Sequence, residues 1–204
     1  MSSAQRGVYV ALEGWEASGK STQAELLAAR LGAVLTREPG GTALGRQIRD
    51  MLLGDGPVPS DRAEALLFAA DRAQHVAEVV EPALASGRHV VTDRSYGSTL
   101  AYQGYGRGQS LDELLDLVGW ASRGVLPDLV VLLDVPVVDA DDRLGDDRDR
   151  LEREPALFAQ RVHAGFGELA AADPERWVVV DGSGDVAAVA ELVWAAWSAW
   201  MDAR

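Results

Sequence analysis

The sequence predicts an α/β domain built on a doubly wound, five-stranded parallel sheet flanked by helices. Three observations predict it. Five short runs are apolar and rich in β-branched residues: "VYVALE" (8–13), "AVLT" (33–36), "HVVTD" (89–93), "LVVLLD" (129–134) and "WVVVD" (177–181). Continuous runs of this kind suit strands buried on both faces. Helical patterns separate them, at roughly 20–31, 42–53, 60–86, 96–103, 110–123, 137–143, 153–172 and 186–203. Alternating β and α elements imply right-handed crossovers. Finally, four of the five strands end in or beside a charged group, at Glu13-Gly14, Thr36-Arg37-Glu38-Pro39, Asp93-Arg94 and Asp134-Val135-Pro136, and the fifth ends at Asp181-Gly182. Ligands of such sheets bind beyond the carboxyl ends of the strands.

Composition narrows the function. The 204 residues suit a single domain, 1–204, without repeat or linker. Cysteine is absent, which excludes disulfides and thiolate metal sites. The first residues carry no apolar run suited to a signal peptide, and no stretch of about 20 apolar residues could span a membrane. A cytoplasmic protein is expected. The net charge of −13 argues against a nucleic-acid partner.

After the first strand comes "GWEASGKST" (14–22). Its Lys20 is the only lysine, against 18 arginines. Gly14-x4-Gly19-Lys20-Ser21 between a strand and a helix is the pattern of a phosphate-binding loop. Glycines let backbone N–H groups turn toward phosphate oxygens, and the helix N-terminus adds positive charge. Lys20 supplies a compact ammonium where arginine's planar fork would not fit, and Ser21 offers a hydroxyl to Mg²⁺. This motif places the chain among the P-loop NTPases.

The second, third and fourth strands bring the other charges. No Asn-Lys-x-Asp guanine-reading motif is present. Arginines beside several strand ends favour a small kinase. Phosphoryl transfer needs positioned cations, some on a segment that closes over the site. "DDRLGDDRDRLERE" (141–154), after the fourth strand, is the candidate for a short lid, approximately 141–153, with Arg143, Arg148, Arg150 and Arg153. Ser110-Leu-Asp-Glu113 reads as a capping box opening the fifth helical stretch.

Several separate stretches together resemble the thymidylate kinase family of the bacterial type: "TREPGGT" (36–42), "LLFAADRAQ" (66–74), "DRSYGSTLAYQG" (93–104), the phosphate loop, and "DRLE" (149–152). The resemblance implies phosphorylation of dTMP by ATP with Mg²⁺, in a homodimer. Gly14, Trp15, Glu16, Ala17, Ser18, Gly19, Lys20, Ser21, Thr22 and Arg143 would bind ATP. Phe68 would stack on thymine and Arg72 would bond its carbonyl edge. Arg94 would bind the dTMP phosphate. Ser21, Glu16 and Asp93 would serve the metal. Ser98 and Thr99 would face the base, Tyr102 would pack on the deoxyribose, and Gln103 would add a polar contact. Glu38 and a cis Pro39 would shape the acceptor pocket. Lys20, Arg94, Arg148 and Arg150 would be catalytic, the last two as transition-state cations.

Two features depart from the family pattern. Ala17 stands where some relatives carry an arginine, and the span from Arg143 to Arg150 is about two residues short. Two further readings compete with the leading one. The first is a deoxynucleoside kinase using a strand-end carboxylate such as Glu38 as base. The second is a nucleotide-dependent switch. At the C-terminus Trp194, Trp197 and Trp200 recur at i, i+3, i+6, as in a helix packed on the sheet. His75, His89 and His163 read as ordinary residues, and the dimer contact is expected on the 60–86 and 110–123 helices.

Overall fold

The five apolar runs pair into one all-parallel sheet in the order β2-β3-β1-β4-β5. A computed structural model describes residues 6–141 and 148–204. The strands are β1 (Tyr9–Glu13), β2 (Val34–Arg37), β3 (Val90–Asp93), β4 (Leu129–Asp134) and β5 (Trp177–Asp181). Between them run α1 (Lys20–Leu31), α2 (Ala43–Leu53), α3 (Asp61–His75), α4 (Glu81–Ala85), α5 (Tyr96–Thr99), α6 (Leu111–Ser122), α7 (Val137–Asp141), α8 (Ala156–Ala172) and α9 (Val186–Asp202). Two π-helical stretches, π1 (Val76–Val80) and π2 (Leu100–Gly106), join α3 to α4 and extend α5.

Alternation along the strands builds two cores. Leu129, Val131 and Leu133 of β4 face α1 and α9, with Leu27, Val193 and Trp197. Val130 and Leu132 face the opposite side, with Tyr96, Leu114, Phe158 and Phe166. The sheet is therefore covered on both faces. Two of the strands are less buried than continuous apolar runs predict: Leu35 is 46% exposed and Val179 54%. The strand order explains this, because β2 and β5 are the edges. Trp197 is buried on the sheet, flanked by the half-buried Trp194 and Trp200, so the tryptophan periodicity is that of a packing helix.

The helices differ from the pattern at three points. The expected 60–86 helix contains π1, placed just before Pro82. A proline ring would clash with the carbonyl of Glu78, and the wider π turn relieves that contact. The expected 153–172 helix begins at Ala156, with Pro155 at its N-terminus, where a missing N–H costs nothing. The capping box at Ser110 is only half made. Ser110 accepts from the Glu113 N–H, while the Glu113 carboxylate pairs with Arg62 at 3.0 Å.

Register then assembles the site. Leu12 and Arg37 both lie opposite Asp93. The Arg94 N–H donates to the Leu12 carbonyl, and the Glu38 N–H donates to that of Asp93. The carboxyl ends of β1, β2 and β3 thus stand side by side.

Candidate active site

Gly14 has φ 146, and a Cβ there would lie 2.6 Å from the Leu133 carbonyl oxygen. Only glycine fits this bend. Gly19 precedes α1 with φ 88, and no side chain caps the helix. The first N–H groups of α1 and its positive end therefore face the loop. The resulting cavity, of about 350 Å³, is lined by Glu16, Gly19, Lys20, Ser21, Asp93 and Arg94, and by Arg37, Glu38 and Arg49.

Lys20 is buried and donates to the Trp15 carbonyl at 2.6 Å and to Ser18 Oγ at 3.2 Å. Burial, with the Arg94 cation nearby, lowers its pKa to about 8, against the pull of Glu16 and Asp93. Ser21 Oγ donates to Asp93 Oδ2 at 2.5 Å. These two oxygens are hard ligands of the kind Mg²⁺ takes alongside substrate phosphates. Glu16 is committed elsewhere, so it fits the metal role less well than the sequence suggests. It meets Arg94 at 2.6 Å and accepts from the Tyr102 hydroxyl at 2.7 Å. Among the described residues no group of three acidic or histidine side chains could hold a metal.

Arg94 is the hub, in the left-handed region at φ 70. Its Nη1 donates to the Gly14 carbonyl at 3.1 Å and to Ser98 Oγ at 2.9 Å. Its Nη2 reaches the Tyr102 hydroxyl at 3.3 Å. Burial alone would raise the Glu16 pKa, but Arg94, Lys20 and Tyr102 override it and hold the carboxyl down at about 2. Stability from this pair is therefore complete above pH about 4.5 and lost as pH falls toward 2. Between pH 6 and pH 3 Glu16 contributes a loss of about 2 kcal/mol. Glu16→Gln should remove that share of the wild-type difference in urea unfolding free energy between the two pH values.

Glu13, at the end of β1, accepts from the N–H groups of Ser95 and Ser98 and from Ser98 Oγ. Burial raises its carboxyl to about 6 against those bonds and the Arg94 charge. It anchors the turn that carries Ser98 and Arg94. The sequence marks Glu13 only as a strand end, and its link to a loop 85 positions on comes from tertiary structure alone.

The residues expected to meet the nucleobase gather on α3 and on α5–π2. Phe68 is half-buried against the core and lies one helical turn before Arg72. Arg72 is buried, with Nε on Glu38 at 2.9 Å and Nη2 on Thr99 Oγ1 at 3.0 Å. The Glu38–Pro39 peptide is cis, as expected. Tyr102 is buried and stacks on Trp15 with centroids 5.5 Å apart. Gln103 departs from its expected role as a polar contact beside the base. It is 1% exposed and its amide donates to Glu64 at 2.8 Å, because π2 turns it toward α3.

Arg150 is also turned from its expected role. Its Nη2 meets the buried Glu64 at 2.6 Å and its Nε the Leu52 carbonyl at 2.7 Å. A buried carboxylate needs such partners, so this arginine anchors the C-terminal part of the candidate lid onto α2 and α3. Arg148 is half-buried. Arg143 lies outside the described residues, as do positions 142–147 of the expected lid. Arg49 was not singled out by the sequence. It lines the loop cavity and donates to the Pro39 carbonyl at 3.2 Å. Its i, i+3 relation to Arg46 in "GRQIRD" resembles any solvated helix face, so no sequence signal separated it.

Comparison with known proteins agrees with this geometry. The family model "Thymidylate kinase" matches residues 12–193. "Thymidylate kinase" of Synechococcus sp. (strain JA-2-3B'a(2-13)) is 48% identical over 192 residues, covering 92% of each chain. That of Bifidobacterium longum (strain DJO10A) is 47% identical over 199 residues, covering 93% of this chain and 95% of its own. That of Clavibacter sepedonicus is 50% identical over 183 residues, covering 86% and 87%. With the phosphate loop, the arginine hub and the α3 face in place, the chain belongs to the thymidylate kinase family.

Proposed function

We propose that the chain transfers the γ-phosphoryl group of ATP to dTMP, giving dTDP and ADP, with the triphosphate on the 14–22 loop and the monophosphate beside Arg94. Family membership makes the chain an ATP:dTMP phosphotransferase. The observation that carries the residue-level reading is the buried Nη1 of Arg72, which has no hydrogen-bond partner among the described residues. A guanidinium can only donate. Thymine presents a carbonyl oxygen at its 4-position; cytosine presents an amino group there and would leave this donor unpaired.

A dTMP phosphate oxygen attacks the γ-phosphorus as the bond to the β–γ bridging oxygen breaks. No general base is required, because a phosphate monoester is largely ionised near neutral pH. Arg94 orients the acceptor, and Lys20 neutralises charge on the transferred group. Ser21 and Asp93 would hold Mg²⁺, which supplies charge neutralisation on the phosphate oxygens. The deoxynucleoside kinase reading needs a free carboxylate base. Glu38 is 4% exposed and bound by Arg72 and His75, which argues against it. ADP release, measured over a panel of nucleoside monophosphates, should be fastest with dTMP. Arg72→Ala should lower kcat/KM for dTMP by about 10²-fold, a size typical of an unpaired polar contact. A panel in which dTMP releases no more ADP than buffer overturns the reading.

Lys20 must be an ammonium to bind phosphate. In the free enzyme, kcat/KM for ATP should therefore be flat below pH about 8 and fall about tenfold per unit above it. A limb in kcat lying at the same pH would argue that bound phosphates do not touch Lys20.

A cytoplasmic homodimer is the setting we propose. Among the described residues no helix is long and apolar enough to cross a membrane. α3 and α6 pack together and leave Leu66, Leu115 and Trp120 exposed, Trp120 to 80%. Exposed apolar side chains on paired helices suit a self-contact. Trp120→Glu should shift the sedimenting species from dimer to monomer; an unchanged sedimentation coefficient counts against this face.

A further inference from the structure

The face of α3 that carries Phe68 and Arg72 continues to Asp71 and His75, at the i, i+3, i+4, i+7 spacing of one helix side. Three of these residues grip a single loop. Asp71 Oδ1 accepts from the Gly40 N–H at 2.9 Å. Arg72 Nε donates to Glu38 Oε2 at 2.9 Å. His75 Nδ1 lies 2.8 Å from Glu38 Oε1, and its Nε2 lies 2.8 Å from Thr36 Oγ1. His75 is fully buried, and a Cβ on Gly41 would lie 2.8 Å from its ring. Burial alone would raise the Glu38 carboxyl, yet Arg72 and His75 hold it below its usual range. An ionised carboxylate only accepts, so Nδ1 carries the proton and the second ring nitrogen faces the Thr36 hydroxyl.

We propose that His75 is a positioning residue for nucleobase selection, fixing Glu38 so that Arg72 presents its unpartnered N–H to a 4-oxo rather than a 4-amino pyrimidine. The proposal rests on the phosphotransferase reading above. Its physical content is rotational. A glutamate carboxylate turns easily about its last bond. With one oxygen held by His75, the other has a single position, and together with Thr99 on Nη2 it fixes the guanidinium. Without that hold the carboxylate turns, the guanidinium keeps only its Thr99 contact as a fixed point and pivots about it, and Nη1 no longer meets the carbonyl at one place. Losses of this kind fall on discrimination, because the base with the right acceptor is the one that used the fixed geometry. Thr36, at the end of β2, completes the chain by holding the imidazole ring in its plane.

The test compares wild type with His75→Leu, His75→Asn and Thr36→Val, using the full chain with saturating ATP and Mg²⁺. Leucine keeps bulk without a donor; asparagine returns an N–H close to Nδ1. The readouts are KM and kcat for dTMP, the ratio of kcat/KM for dTMP over dCMP, and the melting temperature. His75→Leu should raise KM for dTMP about tenfold, leave kcat within about threefold, and lower the ratio about tenfold. His75→Asn should restore most of the ratio. Thr36→Val should lower the ratio about threefold. A His75→Leu protein that melts earlier but keeps the wild-type ratio shows a packing role only and overturns the proposal. If that variant does not fold, an unchanged ratio in Thr36→Val overturns it instead. A wild type that turns over dTMP no better than dCMP fails the phosphotransferase reading, which is a separate outcome.

Discussion

Arg94→Ala should lower kcat/KM for dTMP by about 10³-fold, and Arg94→Lys should recover little of it. The guanidinium holds four partners at once: the Gly14 carbonyl, Ser98, Tyr102 and Glu16. These partners come from the 14–22 loop and from α5–π2, so the fork ties the proposed triphosphate side of the site to the proposed acceptor side. Lysine offers a point charge on a flexible stem and cannot reproduce two directed pairs of bonds. Loss of a positioned cation in phosphoryl transfer has effects of this size. Truncation also leaves the half-buried Glu16 opposite Tyr102 without the Arg94 cation, and its carboxyl then rises from about 2. The left-handed backbone at φ 70 adds strain for any side chain. Arg94→Gly removes that strain and separates the two effects: it should be more stable than Arg94→Ala and equally inactive. A loss under tenfold in steady-state ADP release would place the acceptor phosphate elsewhere.

Lys20→Ala should lower kcat by about 10³-fold while dTMP binding, followed by calorimetry, should stay within about threefold. The side chain is 5% exposed and its ammonium is held by the Trp15 carbonyl and Ser18. Keeping a cation in that setting is unfavourable for folding, as its lowered pKa records. The alanine variant should therefore melt no earlier than wild type. Activity lost with stability kept is the signature of a residue present for its charge. Lys20→Arg should rescue little, because the loop closes around an ammonium and leaves no room for a planar fork. A variant that lost dTMP affinity in parallel with kcat would show Lys20 acting through the acceptor side instead.

The arrangement of elements was legible because it is written locally. Apolar β-branched runs, helical spacing and a glycine-lysine loop each act within a dozen residues, and the comparison with the family agrees with what they predict. Arg94, Phe68 and Arg72 were singled out by stretches resembling the family. Arg49, Glu13 and His75 carried no such signal. Their roles depend on which distant side chain they meet, and the same composition would serve a solvated helix face or an ordinary core position. The candidate lid shows the limit from the other side. "DRLE" is easily found in the sequence, yet Arg150 is bonded to Glu64, 86 positions away.

The sequence by itself determined where the glycine-lysine loop lies, how many strands the sheet has, and which ends of those strands hold charge. Backbone geometry and hydrophobic periodicity act between near neighbours, so they survive in a one-dimensional reading. Only the tertiary structure decided how the charges pair: Arg94 with Glu16, Glu38 with both Arg72 and His75, Arg150 with Glu64. Strand register and helix docking set those distances. A buried charge then takes whichever opposite charge or donor the fold brings within reach, since leaving it alone in a low-dielectric interior costs more than any local preference can offset.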